Sequence, residues 1–184
     1  MLPIVQALKA AGNKVISVLA GRSKELIILE KEIRESSDEV IIMTDDGSYG
    51  RKGLVTEGVE EVLKREKVNK CFAIGPAIMM KFVCLLTKKY EVPTDVSLNT
   101  IMVDGTGMCG ACRLTIGGET KFVCIDGPEF DGALVDWDEM FKRMGTFKNA
   151  EKEEMEHYSE HIDSTKKSEC EACKTNDDKH NDIT

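Results

Sequence analysis

The sequence predicts an α/β fold: a parallel sheet wrapped by helices, followed by a small loop-rich lobe and an acidic tail. Three observations carry this. Strand-length apolar runs alternate with helical patterns over the first hundred residues, the signature of a parallel sheet. Seven glycines and three cysteines then crowd into residues 105–132. Residues 151–184 hold eleven Asp and Glu against five Lys and Arg, a balance of -6 within the chain's formal net charge of -8.

The elements follow in order. Residues 3–11 read as a helix, with Pro3 in its first turn and Gly12 as its stop. Lys14 to Ala20 contains a buried-strand run, and Gly21-Arg22-Ser23 is the turn after it. Ser23 is placed to cap a helix running to about Arg34. Glu39 to Thr44 is the second strand, and Asp45 to Gly53 a Gly-rich loop. Thr56 to Glu66 has Val59, Val62 and Leu63 at helical spacing. Cys71 to Ile74 is a third strand, after which Gly75-Pro76 opens a helix reaching about Lys89. Val96 to Val103 is a further strand. Leu114–Ile116 and Lys121–Ile125 flank Gly117-Gly118 as a hairpin. The domains expected are a nucleotide-binding domain over 1–95, a cluster-binding lobe over 96–147 and an acidic tail over 148–184. The tail reads as a solvated helix to about Ile162 and as disorder beyond it.

Composition narrows the function classes. The apolar fraction of 41% and charged fraction of 32% suit a globular protein. An acidic chain with scattered Lys and Arg lacks the electrostatic footprint of a nucleic-acid binder. No apolar run approaches the ~20 residues that span a bilayer, so no membrane role is expected. The first residues carry no basic stretch, apolar core and small-residue cleavage site, and the expected compartment is the cytoplasm. In a reducing compartment, clustered cysteines bind metal or do redox work more often than they pair. Cys71 and Cys84 stand singly in apolar surroundings and read as buried small hydrophobes.

The sharpest motif is Asp104-Gly-Thr-Gly-Met-Cys109-Gly-Ala-Cys112 followed by Cys124. Plant-type [2Fe–2S] sites use Cys-x4-Cys-x2-Cys with a distant fourth Cys, and here the spacing is kept with an Asp first. Such a loop must bend through backbone angles that glycine accepts cheaply, and the lobe's core is thin enough to need a staple. Zinc on three thiolates and a carboxylate is the competing ion. For Asp104 the competing role is to cap the turn without ligating. Parallel sheets bind ligands beyond the carboxyl ends of their strands. Three loops lie there, and their candidate nucleotide-binding residues are Arg22, Ser23, Asp45, Asp46, Gly47, Gly75 and Pro76. A basic residue after the strand that meets the adenine ribose can accommodate a 2′-phosphate, so Arg22 leans towards NADP. In the tail, His157-x3-His161 and Cys170-x2-Cys173 offer four further metal ligands in a polar segment with no apolar partner.

Val103 to Cys112, taken with Phe122-Val-Cys124-Ile-Asp-Gly-Pro-Glu-Phe130, resembles the alpha subunit of NADH-dependent ferredoxin–NADP+ oxidoreductase. It is similar more broadly to the electron-transfer subunit of dihydroorotate dehydrogenase and to hydrogenase gamma subunits. The resemblance covers residues 1 to about 147. It implies a ferredoxin-reductase-like architecture, with an FAD-binding barrel, a nucleotide-binding domain and a C-terminal [2Fe–2S] lobe. It implies Asp104, Cys109, Cys112 and Cys124 as cluster ligands, NAD(P)H and FAD as further cofactors, and a larger oxidoreductase subunit as partner. Thr44 to Gly50 resembles the reductases' loop near the pyridine nucleotide. Ala73 to Met79 resembles their segment beside the nicotinamide, with Ile74 where those reductases often have Cys. No segment matches the barrel, and no G-x-G-x-x-G occurs. The resemblance therefore implies a nucleotide-binding domain cut short at its start, with FAD held only together with the barrel. A different class of function stays open: a metal-stapled interaction module whose acidic tail recruits a partner.

Overall fold

A computed structural model describes residues 1–159. The chain opens with α1 (Leu2–Ala10), which has proline in its first turn and Val5 buried. It leads into β1 (Ile16–Gly21). β1 pairs in parallel with β2 (Glu39–Thr44), from Ile16 opposite Glu39 to Gly21 opposite Thr44.

Between them, the single helix expected over residues 23–34 is broken. A 3-10 turn spans Lys24–Leu26, and α2 covers only Glu30–Glu35. Ile27 and Ile28 are β-branched and crowd a helical turn. Leu26, Ile28 and Leu29 are exposed, so they bury nothing that would repay helix formation. Leu29 enters α2 in the left-handed region at φ 55°. Ser23 precedes the 3-10 turn but makes no side-chain capping bond.

The Gly-rich loop after β2 contains a two-residue strand, β3 (Arg51–Lys52), parallel to the end of β2. α3 (Val55–Arg65) follows. Gly58 lies flush on the sheet, where an added Cβ would sit 3.1 Å from Val18 and 3.3 Å from Met43. Ile41, Met43 and Val62 make the buried cluster here, with Ile16, Val18 and Val68 packed on it.

β4 (Cys71–Ile74) and β5 (Thr94–Ser97) form a second parallel pair joined through α4 (Ala77–Lys89). The buried Thr87 and Thr94 satisfy each other through their hydroxyls at 2.6 Å. The strand expected to reach Val103 ends at Ser97. Leu98 N–H donates to Pro128 O at 2.9 Å, and no pairing continues past it.

The hairpin is β6 (Arg113–Ile116) and β7 (Glu119–Phe122), turned by Gly117 and Gly118 at φ 61° and 83°. Two positive φ values in a two-residue loop match the twist of the strands it joins. The second arm stops at Phe122, short of the expected Ile125, and a helical turn, α5 (Val123–Asp126), follows. β8 (Glu129–Asp131) pairs antiparallel with β5, and α6 (Trp137–Met144) comes next.

The expected α/β class with parallel strands stands, but the strands make separate hydrogen-bonded sheets. These are β1-β2-β3, β4-β5-β8 and the hairpin β6-β7. Residues Met1–Met140 form one compact unit, and a second begins at Phe141. Within the second, residues 148–159 are helical. His161, Cys170 and Cys173 lie outside the described residues. None of the described helices is long and apolar enough to cross a membrane.

Candidate iron–sulfur and nucleotide sites

The loop from Asp104 to Cys112 turns through Gly105, Gly107 and Gly110, all at positive φ between 64° and 81°. Its bends bring chain N–H groups onto the donor side chains. Asp104 Oδ1 accepts the Thr106 N–H at 2.9 Å and Oδ2 accepts the Cys109 N–H at 2.7 Å. These bonds, Thr106 foremost, hold its carboxyl below the ordinary carboxylate value, and the Cys109 thiol adds to them. Ala111 N–H donates to Cys109 Sγ at 3.4 Å. Cys112, buried at the start of the hairpin, places its Sγ 3.3 Å from that of Cys124 on α5. The Cys112 thiol pushes the Cys124 thiol's pKa up, while the Gly107 N–H pulls it down.

The four residues expected as ligands are thus brought together as two pairs, Asp104 with Cys109 and Cys112 with Cys124. Among the described residues no three metal-binding side chains converge on one point. A single tetrahedral ion needs such a point. A two-iron cluster takes two protein ligands on each iron, and N–H groups aimed at sulfur are what stabilise thiolates around it. The donor set fits the two-iron group. Asp126, a neighbouring carboxylate, is occupied by the Phe122 N–H at 2.6 Å.

Around this loop Val103, Met108 and Ile125 are exposed, at 76%, 88% and 55%. Sequence reasoning passed over them because single apolar residues in a Gly-rich loop show no periodicity. The signal is their shared place around the cysteines.

The nucleotide candidates divide between the two sheets. Arg22 and Ser23 follow β1, and Asp45, Asp46 and Gly47 follow its neighbour β2. Asp45 N–H donates to Gly21 O and Asp46 N–H to Arg22 O, each at 3.2 Å. Ser48, missed by sequence reasoning, fastens the two loops. Its hydroxyl donates to Asp46 Oδ1 at 2.7 Å and accepts the Lys24 N–H at 2.9 Å. Backbone and hydroxyl donation from Ser48 keeps the Asp46 carboxyl below its ordinary range. Lys24 Nζ lies 5.3 Å from the Tyr49 ring centre. Gly75 and Pro76 stand instead at the end of β4, in the other sheet. Gly75 has φ 157°, and a Cβ there would lie 2.5 Å from the Met79 methyl.

Known proteins share parts of this chain. Residues 99–136 match the family described as the iron–sulfur cluster binding domain of dihydroorotate dehydrogenase B. The chain is 50% identical over 158 residues to a dihydroorotate dehydrogenase B (NAD(+)) electron transfer subunit homolog of Thermotoga maritima, covering 86% of this chain and 56% of that protein. It is 39% identical over 133 residues to a probable subunit of the same name from Methanocaldococcus jannaschii, covering 72% of this chain and 50% of that one. A solved structure, described as that of an NADH-dependent reduced ferredoxin–NADP oxidoreductase in work on flavin-based electron bifurcation, superposes with a TM-score of 0.76. Identity there is 48%, over 85% of this chain and 56% of that one. The chain spans about half the length of the curated relatives it matches.

Proposed function

With the electron-transfer subunits of dihydroorotate dehydrogenase B as its relatives and an iron–sulfur binding domain matched at residues 99–136, we propose that the chain is the nucleotide- and cluster-binding part of such a subunit. It serves a flavin-dependent NAD(P)H oxidoreductase of the ferredoxin–NADP+ type. The observation that carries this is the double pair of donors, Asp104 with Cys109 and Cys112 with Cys124, under N–H groups of the same loop. The four side chains are the ligands of a [2Fe–2S] cluster, which takes up and gives out one electron at a time. The loops holding Arg22, Ser23, Asp45, Asp46 and Gly47, with Gly75 and Pro76, take the pyridine nucleotide. FAD belongs to a barrel outside residues 1–184. The exposed Val103, Met108 and Ile125 give a larger partner subunit an apolar seat beside the cluster.

A second reading, electron transfer to a dihydroorotate dehydrogenase, is favoured by the names of the relatives. The superposed reductase structure favours the first. The test is metal analysis of anaerobically purified chain. About two iron and two acid-labile sulfide per chain are expected, with visible absorbance that dithionite bleaches reversibly. Stoichiometric zinc without sulfide would overturn the proposal in favour of a metal-stapled interaction module.

A further inference from the structure

Cys112 Sγ and Cys124 Sγ lie 3.3 Å apart although twelve positions separate the residues in the chain. The hairpin brings them together. Arg113 pairs with Phe122 at the open end of β6 and β7. One step further out, the Val123 N–H donates to Cys112 O at 3.3 Å. Backbone bonds thus hold both cysteines in place independently of the sulfur contact. The entropy of closing this loop is already spent in the hairpin, so joining the two sulfurs gathers no loose chain. A disulfide holds its sulfurs at about 2.05 Å, within reach of a small rotation of either side chain.

The interval in the sequence singles out a different pair. Cys109 and Cys112 are spaced C-x-x-C, the spacing of local dithiol redox motifs. The fold gives their sulfurs different partners. Cys109 is exposed, its N–H donates to Asp104 Oδ2, and its Sγ accepts the Ala111 N–H. Cys112 is only 2% exposed and turns its Sγ to Cys124. Cys124 is half-buried, so a small oxidant meets it before it meets Cys112.

We propose that Cys112 and Cys124, rather than the C-x-x-C pair, are an oxidisable dithiol that a small-molecule disulfide converts to a cystine, and that this cystine closes the chain to a cluster. The Cys124 sulfur attacks the small disulfide, whose S–S bond breaks and releases one thiol. The Cys112 sulfur then attacks the sulfur of Cys124, the protein S–S bond forms, and the second thiol leaves. Two electrons pass from the cysteine pair to the small disulfide, and the two cysteine protons end on the released thiols. Two of the four donors are thereby withdrawn, and reduction returns them. This gate rests on the cluster reading of the site, whereas the cystine itself does not.

The test uses the full chain, stripped of iron by a chelator, fully reduced, and equilibrated without air in a buffer of reduced and oxidised glutathione. Peptide mapping without reductant reads each linkage and separates it from any at Cys170 and Cys173. The Cys112–Cys124 linkage is expected to exceed Cys109–Cys112 by about tenfold or more, because a strained disulfide is the more easily reduced. Dominance of Cys109–Cys112, or separate glutathione adducts on Cys112 and Cys124, would overturn the proposal. Ferrous iron and sulfide are then offered to the oxidised and to the reduced chain. Uptake by the oxidised chain is expected to be lower by about tenfold or more, since iron needs free thiolates, and to return when dithiothreitol is added. Equal uptake by both chains overturns the gate. A reduced chain that forms the cystine yet takes up neither iron nor sulfide fails the cluster reading instead and leaves the cystine standing.

Discussion

Asp104 caps its own turn and has room for a second role. Both its oxygens accept N–H groups of its own turn, yet a carboxylate has about four acceptor positions, so capping does not exhaust it. Under the ligand reading, Asp104→Ala loses the cluster or holds it labile, and Asp104→Cys keeps it with an altered electron paramagnetic resonance spectrum. Iron content and spectrum unchanged in Asp104→Ala would place the fourth ligand elsewhere. The cysteines outside the loop make a contrast. Burial raises the Cys71 pKa to about 11 and that of Cys84 to about 12, which keeps both protonated at neutral pH. Thiolates are the reactive form. Iodoacetamide at about pH 8 therefore labels the exposed Cys109 of apo protein and leaves Cys71 and Cys84 unmodified on peptide mapping. Because their folded pKa values are raised, the stability they confer is complete below the unfolded thiol value near 9. It declines as pH rises from there towards 11 and 12. Urea midpoints measured across that window should fall, more gently in Cys84→Ala once its packing cost is subtracted. The cysteine spacing was legible because ligand geometry fixes sequence intervals. Ser48 was not, because a hydroxyl joining two loops 24 residues apart leaves no local pattern.

At the scale of elements, legibility followed burial. β2 and β4 have the bounds expected of them, being short apolar runs between turn residues. The run from Ser23 to Arg34, expected as one helix capped by Ser23, breaks because Leu26, Ile28 and Leu29 stay exposed and bury nothing that repays helix formation. The strand over 96–103 was overextended for the mirror reason. Its pairing is set by β8, three residues long and distant in sequence, which no local pattern announces. That pairing depends on close approach. Gly132 N–H donates to Thr94 O at 2.8 Å, and a Cβ at Gly132 would collide with Cys84 Sγ and lie 3.0 Å from Val96. The neighbours are a buried helix residue and a central strand, so neither yields easily. Gly132→Ala should destabilise the chain by about 1–3 kcal/mol, the usual cost of overpacking. Chemical denaturation reads this out, and Gly132→Ala combined with Cys84→Ala should recover part of the loss. An unchanged midpoint in the single variant would mean that β8 does not seat as described.

Over the whole molecule, the cluster-binding region is less self-contained than its composition implies. The sequence shows a lobe rich in glycine and thin in apolar residues, which ought to lose order without its metal. The structure gives parts of it other supports. Leu114 and Val123 are fully buried. Thr115 N–H donates to Glu139 Oε2 at 2.8 Å, Asp136 N–H to Thr115 O at 3.0 Å and Gly117 N–H to Leu134 O at 2.8 Å, which fastens β6 to residues 134–139. β8 belongs to the sheet of β4 and β5. The segment from Val103 to Ala111 is tied to Asp104 and Cys109 within the loop, to Arg113 through the Gly110 carbonyl and to Cys124 through the Gly107 N–H, beside the sulfur contact between Cys112 and Cys124. Removing the metal should therefore unfasten residues 103–112 and the turn carrying Cys124, and leave the rest standing. Hydrogen exchange compared between holo and apo chain should show protection lost over those segments and kept in β5, β6, β8 and residues 16–89. Loss of protection through β6 and β8 as well would mean that the cluster, rather than packing on the sheet, holds the entire lobe together. Equal protection of residues 103–112 in both forms would mean that the loop's own hydrogen bonds suffice and that no metal is coupled to its folding.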